Sequence, residues 1–238
     1  MAAAGGWRSG ALAGLVGLVI GGGAVASFYG FQAPDKAATE DIVRQYILDH
    51  GELLPESMQR LQRRQASAAV GQYRAALETP FHGAWAGAAD GDVVLVEFFD
   101  YACGYCRASN PDVERLLRED PRLKVVWREL PVLGPNSETA AAVSLAAARQ
   151  GRFRQFHDRL FSLGRPTEAT IAEAIRSVGV QPQGLTAEHR AEITRNIELA
   201  RAIGSTGTPT FVIGTRMLEG AVGYETLKQA IAAARSQS

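Results

Sequence analysis

Cysteine is almost missing from these 238 residues: there are 2, Cys103 and Cys106. Without a second pair, neither a multi-bridge disulfide scaffold nor a four-cysteine zinc site can be assembled. Histidine is scarce too, and His50, His82, His157 and His189 stand in no metal-ligand spacing. Net charge is absent, with 25 basic residues against 25 acidic ones, which removes any general attraction to nucleic acid or to an acidic membrane surface. There is no internal repeat, and the only compositional bias is a Gly-rich leader. What remains is an ordinary globular composition, 46% hydrophobic, long enough to bury a core in one or two domains.

Charge is also lacking at the N-terminus. No charged residue stands between Ser9 and Ala33, and the run "ALAGLVGLVIGGGAVASFYGF" holds about 20 apolar or small residues, roughly the length that spans a bilayer. Two readings follow for residues 1–34. Ala24-Val25-Ala26 before Ser27 fits a cleaved signal peptide with Leu12 to Ile20 as its apolar centre. Alternatively, residues about 11–31 form an uncleaved anchor, with Phe28, Tyr29 and Phe31 at the membrane interface. Either reading exports the rest of the chain.

Beyond a polar linker, Ile42, Val43, Tyr46 and Ile47 recur at helical spacing, Gly51 offers a stop and Pro55 a new start. This predicts a hook of two helices, about 38–50 and 55–78. Their narrow apolar stripe must pack on something, either the body of the protein or a second copy. "DVVLVEFFD" reads as a strand buried on both faces. A helix from about 104 to 119 and the strand "RLKVVWREL" complete a right-handed parallel unit. Four helices follow, with Ser137, Thr167 and Thr186 as caps and Gly151, Gly164 and Gly179 as stops. The strands "TPTFVIG" and "RMLEGAV" and a last amphipathic helix close an α/β order of β-α-β, four helices, β-β-α.

The two cysteines fall where the first strand meets its helix. A spacing of two residues on a first helical turn lets both sulfurs close into a small disulfide ring. The N-terminal sulfur lies beside unpaired backbone N–H groups at the positive end of the helix dipole, which favours its thiolate. Cys103 is thus the expected nucleophile and Cys106 the resolving thiol, and thiol–disulfide exchange is the chemistry this spacing supports. Zinc lacks further ligands, and a structural bridge across two residues would close almost no loop. A Cu(I) site made by the same two thiolates is the alternative of another class. Glu97, in an apolar strand, would be desolvated and able to exchange protons near neutral pH; an edge position facing solvent is the other reading.

The segments "FFDYACGYC", "LPVLGPNSETAA", "TGTPTF" and "IVRQYILDHGELLPESMQRLQRRQ" together resemble the thioredoxin fold of the DsbA-like thiol-disulfide oxidoreductases, most of all the ScsC (suppressor of copper sensitivity) type. The resemblance covers about 85–235. It implies a thioredoxin domain at 81–238 with a helical insertion about 135–204, preceded by a helical, possible oligomerisation segment at 35–80. Pro209 then matches a cis-proline against the cysteines, and Thr208 would present its backbone to substrate. Glu97 matches a buried acid that moves the proton of the resolving cysteine, and Pro111 a helix-kinking proline. The implied partners are protein thiols and disulfides, a membrane redox partner, and the inner membrane through the N-terminal segment. Some ScsC-like proteins are trimers and others lack the assembling segment, which leaves a homo-oligomer (trimer) open. No cofactor is implied, and the place of action would be the periplasm. One departure concerns Gly104-Tyr105, which lacks the histidine of strongly oxidising relatives, so a milder potential is expected. Tyr105 would pack against substrate or cover the buried sulfur.

Overall fold

The computed structural model describes residues 36–237. The expected signal peptide or anchor therefore lies outside the described residues, and among these no helix is long and apolar enough to cross a membrane. The chain divides into two compact units, Met1–Met58 and Gln59–Ser238.

In the first unit, helix α1 (Lys36–Asp49) is followed by a short turn and by the beginning of α2 (Leu53–Glu78). No residue of α1 is buried. Helix α2 starts two residues earlier than expected, so that Pro55 lies within its first turn. This costs no hydrogen bond, because the first four N–H groups of a helix have no intrahelical acceptor.

The second unit is built on a five-stranded sheet. Its strands are β1 (Trp85–Gly87), β2 (Val93–Phe99), β3 (Leu123–Glu129), β4 (Thr210–Ile213) and β5 (Arg216–Glu219), in the order β1-β3-β2-β4-β5. Strands β2 and β3 are parallel and joined through α3 (Gly104–Glu119), whereas the other pairs are antiparallel. Between β3 and β4 come the four expected helices, α4 (Pro135–Arg149), α5 (Phe153–Leu163), α6 (Glu168–Val178) and α7 (Ala187–Ala202); α8 (Tyr224–Arg235) ends the chain.

Both faces of the sheet are covered, as the continuous apolar runs require. Alternation along the strands sends Leu95, Phe99, Val125, Trp127 and Phe211 into one core, which also contains both cysteines. Val96, Phe98, Val126 and Val212 enter a second core with Val70 and Leu77 of α2 and Leu199 of α7. The later part of α2 is thus a wall of this unit.

A buried cation fixes that wall. Arg128, 3% exposed, donates to the carbonyls of Leu77 (2.9 Å) and Thr79 (2.6 Å), to that of Ala76, and to Asn196 Oδ1 (2.8 Å) and Glu192 Oε1 (3.3 Å). It satisfies carbonyls that the last turn of a helix leaves unpaired.

Thr167 and Thr186 cap their helices as expected, the first in a reciprocal pair with Thr170. Ser137 does not. Helix α4 begins at Pro135, whose fixed φ suits the first helical position, and Gly134 (φ 111°) is the residue before it. Ser137 is buried inside the first turn. The short edge strand β1 was not expected, because three residues carry no readable period.

Candidate active site

Strand β2 ends at Phe99, and four residues later the chain enters α3 with Cys103 at the N-cap. Asp100 shapes this junction. Its carboxylate accepts from Ala102 N (2.8 Å) and from the N–H groups of Val132 (2.9 Å) and Leu133 (3.0 Å), while its carbonyl accepts from Cys103 N (3.0 Å). One buried acid therefore ties the cysteine loop to the loop after β3. Val132 and Leu133 are exposed there, and so is Tyr105, between the cysteines, at 69%. Pro111 lies within α3 and does not start a new helix.

Cys103 is 6% exposed and Cys106 fully buried, both as free thiols. Facing them is the loop before β4, where the Thr208–Pro209 bond is cis and the Thr208 carbonyl lies 3.2 Å from Cys103 Sγ. As an acceptor, this carbonyl favours the protonated thiol. It is outweighed by the Cys106 thiol, which donates to the Cys103 sulfur, together with the Thr208 side chain and the backbone N–H groups of Cys106 and Tyr105. Despite partial desolvation, the Cys103 pKa falls to about 5. Cys106 moves the other way, pushed far up by burial and then by its hydrogen bond to Cys103 and the nearby Glu97.

Glu97 is 2% exposed on the central strand β2, not at an edge. Its odd position points it into the core that holds the cysteines. Trp127, its register partner on β3, donates Nε1 to Glu97 Oε2 at 3.0 Å. Burial raises the carboxyl pKa to about 8 against that one favourable bond, and the Cys103 charge adds to the rise.

Beside this group runs a buried polar chain that sequence reasoning did not find. Tyr101 OH meets Ser144 Oγ (2.8 Å) and His157 Nδ1 (3.3 Å), and His157 Nε2 meets Asn110 Oδ1 (3.2 Å). Burial and the nearby Arg154 hold the His157 pKa near 3, so the ring is neutral. Burial likewise pushes the Glu129 carboxyl well above the usual carboxylate range. Of these residues Asp100 alone carried a signal, as an acid between a buried strand and a cysteine pair. Tyr101 and His157 meet only through packing of the loop before α3 against α5, 56 residues apart in sequence.

Among the described residues no group of three or more His, Cys, Asp or Glu side chains could hold a metal ion. The remaining donors for a soft ion are the two thiolates.

A mixed sheet in this order, with a CxxC pair opening the helix after β2 and a cis-proline against it, is a thioredoxin fold enlarged by helices. Residues 94–232 match the DSBA-like thioredoxin domain, and residues 35–68 match the copper resistance protein ScsC N-terminal domain. The chain belongs to the DsbA-like thiol-disulfide oxidoreductase family, with an ScsC-type N-terminal domain. A linker-deletion mutant of Proteus mirabilis ScsC is 30% identical, covers 87% of this chain and 100% of its own, and superposes with a TM-score of 0.73. A thioredoxin-like oxidoreductase from Silicibacter pomeroyi is 36% identical over 65% of this chain and 92% of its own, with a TM-score of 0.62. The Na(+)/H(+) antiporter NhaA 3 of Salinispora tropica is 32% identical over 158 residues, 62% of this chain and 24% of the antiporter. The chain spans about a quarter of the length of the curated relatives it matches.

Proposed function

We propose that the protein is an exported thiol-disulfide oxidoreductase in which Cys103 is the nucleophile and Cys106 the resolving thiol. The supporting observation is the opposite displacement of two thiols three positions apart, one down to about 5 and one strongly up. In the oxidising direction a client thiolate attacks Cys103 Sγ of the disulfide, Cys106 leaves and is protonated, and a second client thiolate then displaces Cys103 as a stable thiolate. Two electrons pass from client to protein. In the reducing or isomerising direction the Cys103 thiolate attacks a client disulfide, and Cys106 gives up its proton before displacing the client. Glu97, with a pKa about 8, is the group suited to hold that proton at either stage. Thr208, cis-Pro209 and the exposed Tyr105 are the contacts for the client chain.

Export places this chemistry in the periplasm, with residues about 11–31 as signal or inner-membrane anchor and a membrane protein as redox partner. The exposed apolar stripe of α1 makes a homo-oligomer the natural assembly. No cofactor takes part in the exchange.

The equilibrium reduction potential in glutathione buffers tests this reading. The absence of a histidine between the cysteines argues for a mild oxidant, whereas the low Cys103 pKa stabilises the reduced form and raises the potential. A value near or above about −230 mV is expected. A value below about −300 mV would mark a bond that the glutathione pool cannot open, and would end the oxidase reading. A second reading, Cu(I) held by the same thiolates, draws on the copper-resistance description of the domain that residues 35–68 match. Pro209→Thr separates the two, since it should slow mixed-disulfide turnover while leaving copper affinity nearly unchanged.

A further inference from the structure

Next to the cis-proline loop the second unit carries a cleft of about 640 Å³ that the exchange mechanism does not use. One wall is α2 from Gln59 to Ala69, and a second is the end of α7 with the chain running on to Thr206. The third is strand β5, every residue of which, Arg216 to Glu219, lines the cleft. Consecutive strand residues point to opposite faces. A cleft that touches all four must run along the edge of the sheet rather than across one face.

That edge is open. β5 ends the sheet order, and among the described residues β4 is its one partner. Gly220 N donates to Pro209 O at 2.8 Å, and the register pairs Thr210 with Glu219 and Val212 with Met217. Antiparallel ladders alternate bonded and non-bonded pairs. Since Pro209 and Gly220 are a bonded pair, Met217 and Glu219 turn their main-chain N–H and C=O groups away from β4, towards the cleft.

The cleft is also charged. Arg63 of α2, Arg201 of α7 and Arg216 of β5 line it, all three exposed, and none has a side-chain hydrogen bond or ion pair among the described residues. Its one acid, Glu219, is already engaged by Thr206 through N and Oγ1, both at 2.8 Å. A single arginine on a sheet edge would be enough to discourage pairing between copies. Three arginines brought from separate elements to one cleft, over a floor that includes Ile203 and Leu218, form a complement for acidic side chains on an extended chain.

We propose that this cleft docks an extended, acidic segment of the client protein by strand addition to the β5 edge, several residues away from the reacting client cysteine. The inference rests on the oxidoreductase reading and adds a substrate class to it. Continuity with the reacting sulfur comes through the chain itself. Thr206 lines the cleft, and Thr208, two residues on and within about 7 Å along the backbone, holds Cys103 Sγ. Arg128 keeps the α2 wall in place.

Fluorescence anisotropy of the full chain with labelled ten-residue peptides lacking cysteine tests the proposal. One peptide alternates Glu with Thr and Val, a second has Gln for Glu, and a third keeps the Glu residues but replaces alternate Thr and Val by Pro. The acidic peptide is expected to bind about tenfold more tightly than the Gln peptide at low salt, from three ion pairs of ordinary strength. The preference should shrink as salt rises and vanish in an Arg63→Glu, Arg216→Glu variant, and the Pro peptide should bind weakly for want of N–H donors. Equal binding of the Glu and Gln peptides, a preference that survives in the variant, or undiminished binding of the Pro peptide would each overturn the proposal. So would stronger binding to anionic lipid vesicles than to the acidic peptide. Because the peptides carry no thiol, the result does not depend on exchange at Cys103. Failure of the oxidoreductase reading would appear in the glutathione equilibrium instead.

Discussion

Cys103 and Glu97 titrate in opposite senses over the same pH range, and this has a measurable effect on stability. Native Cys103 loses its proton near pH 5, while in an unfolded chain it keeps it to about pH 9. Between these values the unfolded state binds more protons, and the reduced protein gains stability as pH rises. Glu97 keeps its proton to about pH 8 in the native state but loses it near 4.5 when unfolded, so this residue takes stability away as pH rises through that window. The two contributions offset each other in the reduced wild type, whose urea midpoint is expected to vary little between pH 5 and pH 8. Glu97→Gln retains an acceptor for Trp127 Nε1 and removes the titration. The reduced variant should gain stability across the window, by about 4 kcal/mol relative to wild type. The oxidised wild type, without the Cys103 thiolate, should lose stability with pH. Parallel curves for the reduced variant and wild type would show that Glu97 titrates normally.

At this scale the sequence was informative about residue type and parity. The cysteine spacing, the apolar strand around Glu97 and the proline in "TGTPTF" marked the groups that the fold gathers. It was uninformative about Trp127, Tyr101 and His157, because their roles arise from register and from packing between distant segments. Trp127 meets Glu97 only because β2 and β3 pair in the register that sets these two positions side by side.

Among the elements, α2 is the one whose role was least legible. Its narrow apolar stripe was compatible with docking on the body or with self-association. Two different parts of the helix account for this ambiguity: Val70 and Leu77 are buried in the second core, whereas Met58 and Leu61 are exposed. Nothing in "KVVWREL" announced that Arg128 would close the C-terminal turn of a helix some 50 residues earlier. Removing that guanidinium leaves three carbonyls and Asn196 Oδ1 without their donor in a buried site, and leaves Glu192 with Arg195 alone, at 3.1 Å. Arg128→Met is therefore expected to destabilise the protein by about 3–5 kcal/mol. Amide exchange should accelerate most strongly in residues 70–79, with little change around Cys103. Uniform acceleration throughout the sheet would mean that Arg128 stabilises the whole unit and not the α2 wall. The strand–helix–strand order and the glycine stops, by contrast, were readable because each rests on a local rule: continuous apolar runs, a cap, or a φ that only glycine adopts cheaply.

For the whole molecule, the unanswered demand is the apolar surface of the first unit. Ile42 is 69% exposed, Val43 51%, Tyr46 56% and Leu48 73%, on a helix of 14 residues. An isolated helix of that length is marginal in water, and its stability ordinarily comes from packing an apolar face. A second copy of the same helix supplies such a face with matching chemistry. Light scattering on the chain from residue 35 onward should give a mass that is a multiple of the monomer. Ile42→Asp combined with Tyr46→Asp should reduce it to the monomer without unfolding, since both side chains are exposed. Removing α2 entirely would be a poor test, because it would also take Val70 and Leu77 out of the core. The variant has a functional readout too. The residues proposed for the exchange all lie within 97–209, so the reduction potential should be unchanged by loss of assembly. Isomerisation of a scrambled multi-disulfide client gains from several Cys103 thiolates held on one particle at high effective concentration, and should fall severalfold. An unchanged mass in the double variant would place the association elsewhere. An unchanged isomerisation rate in a true monomer would show that each active site handles its client alone.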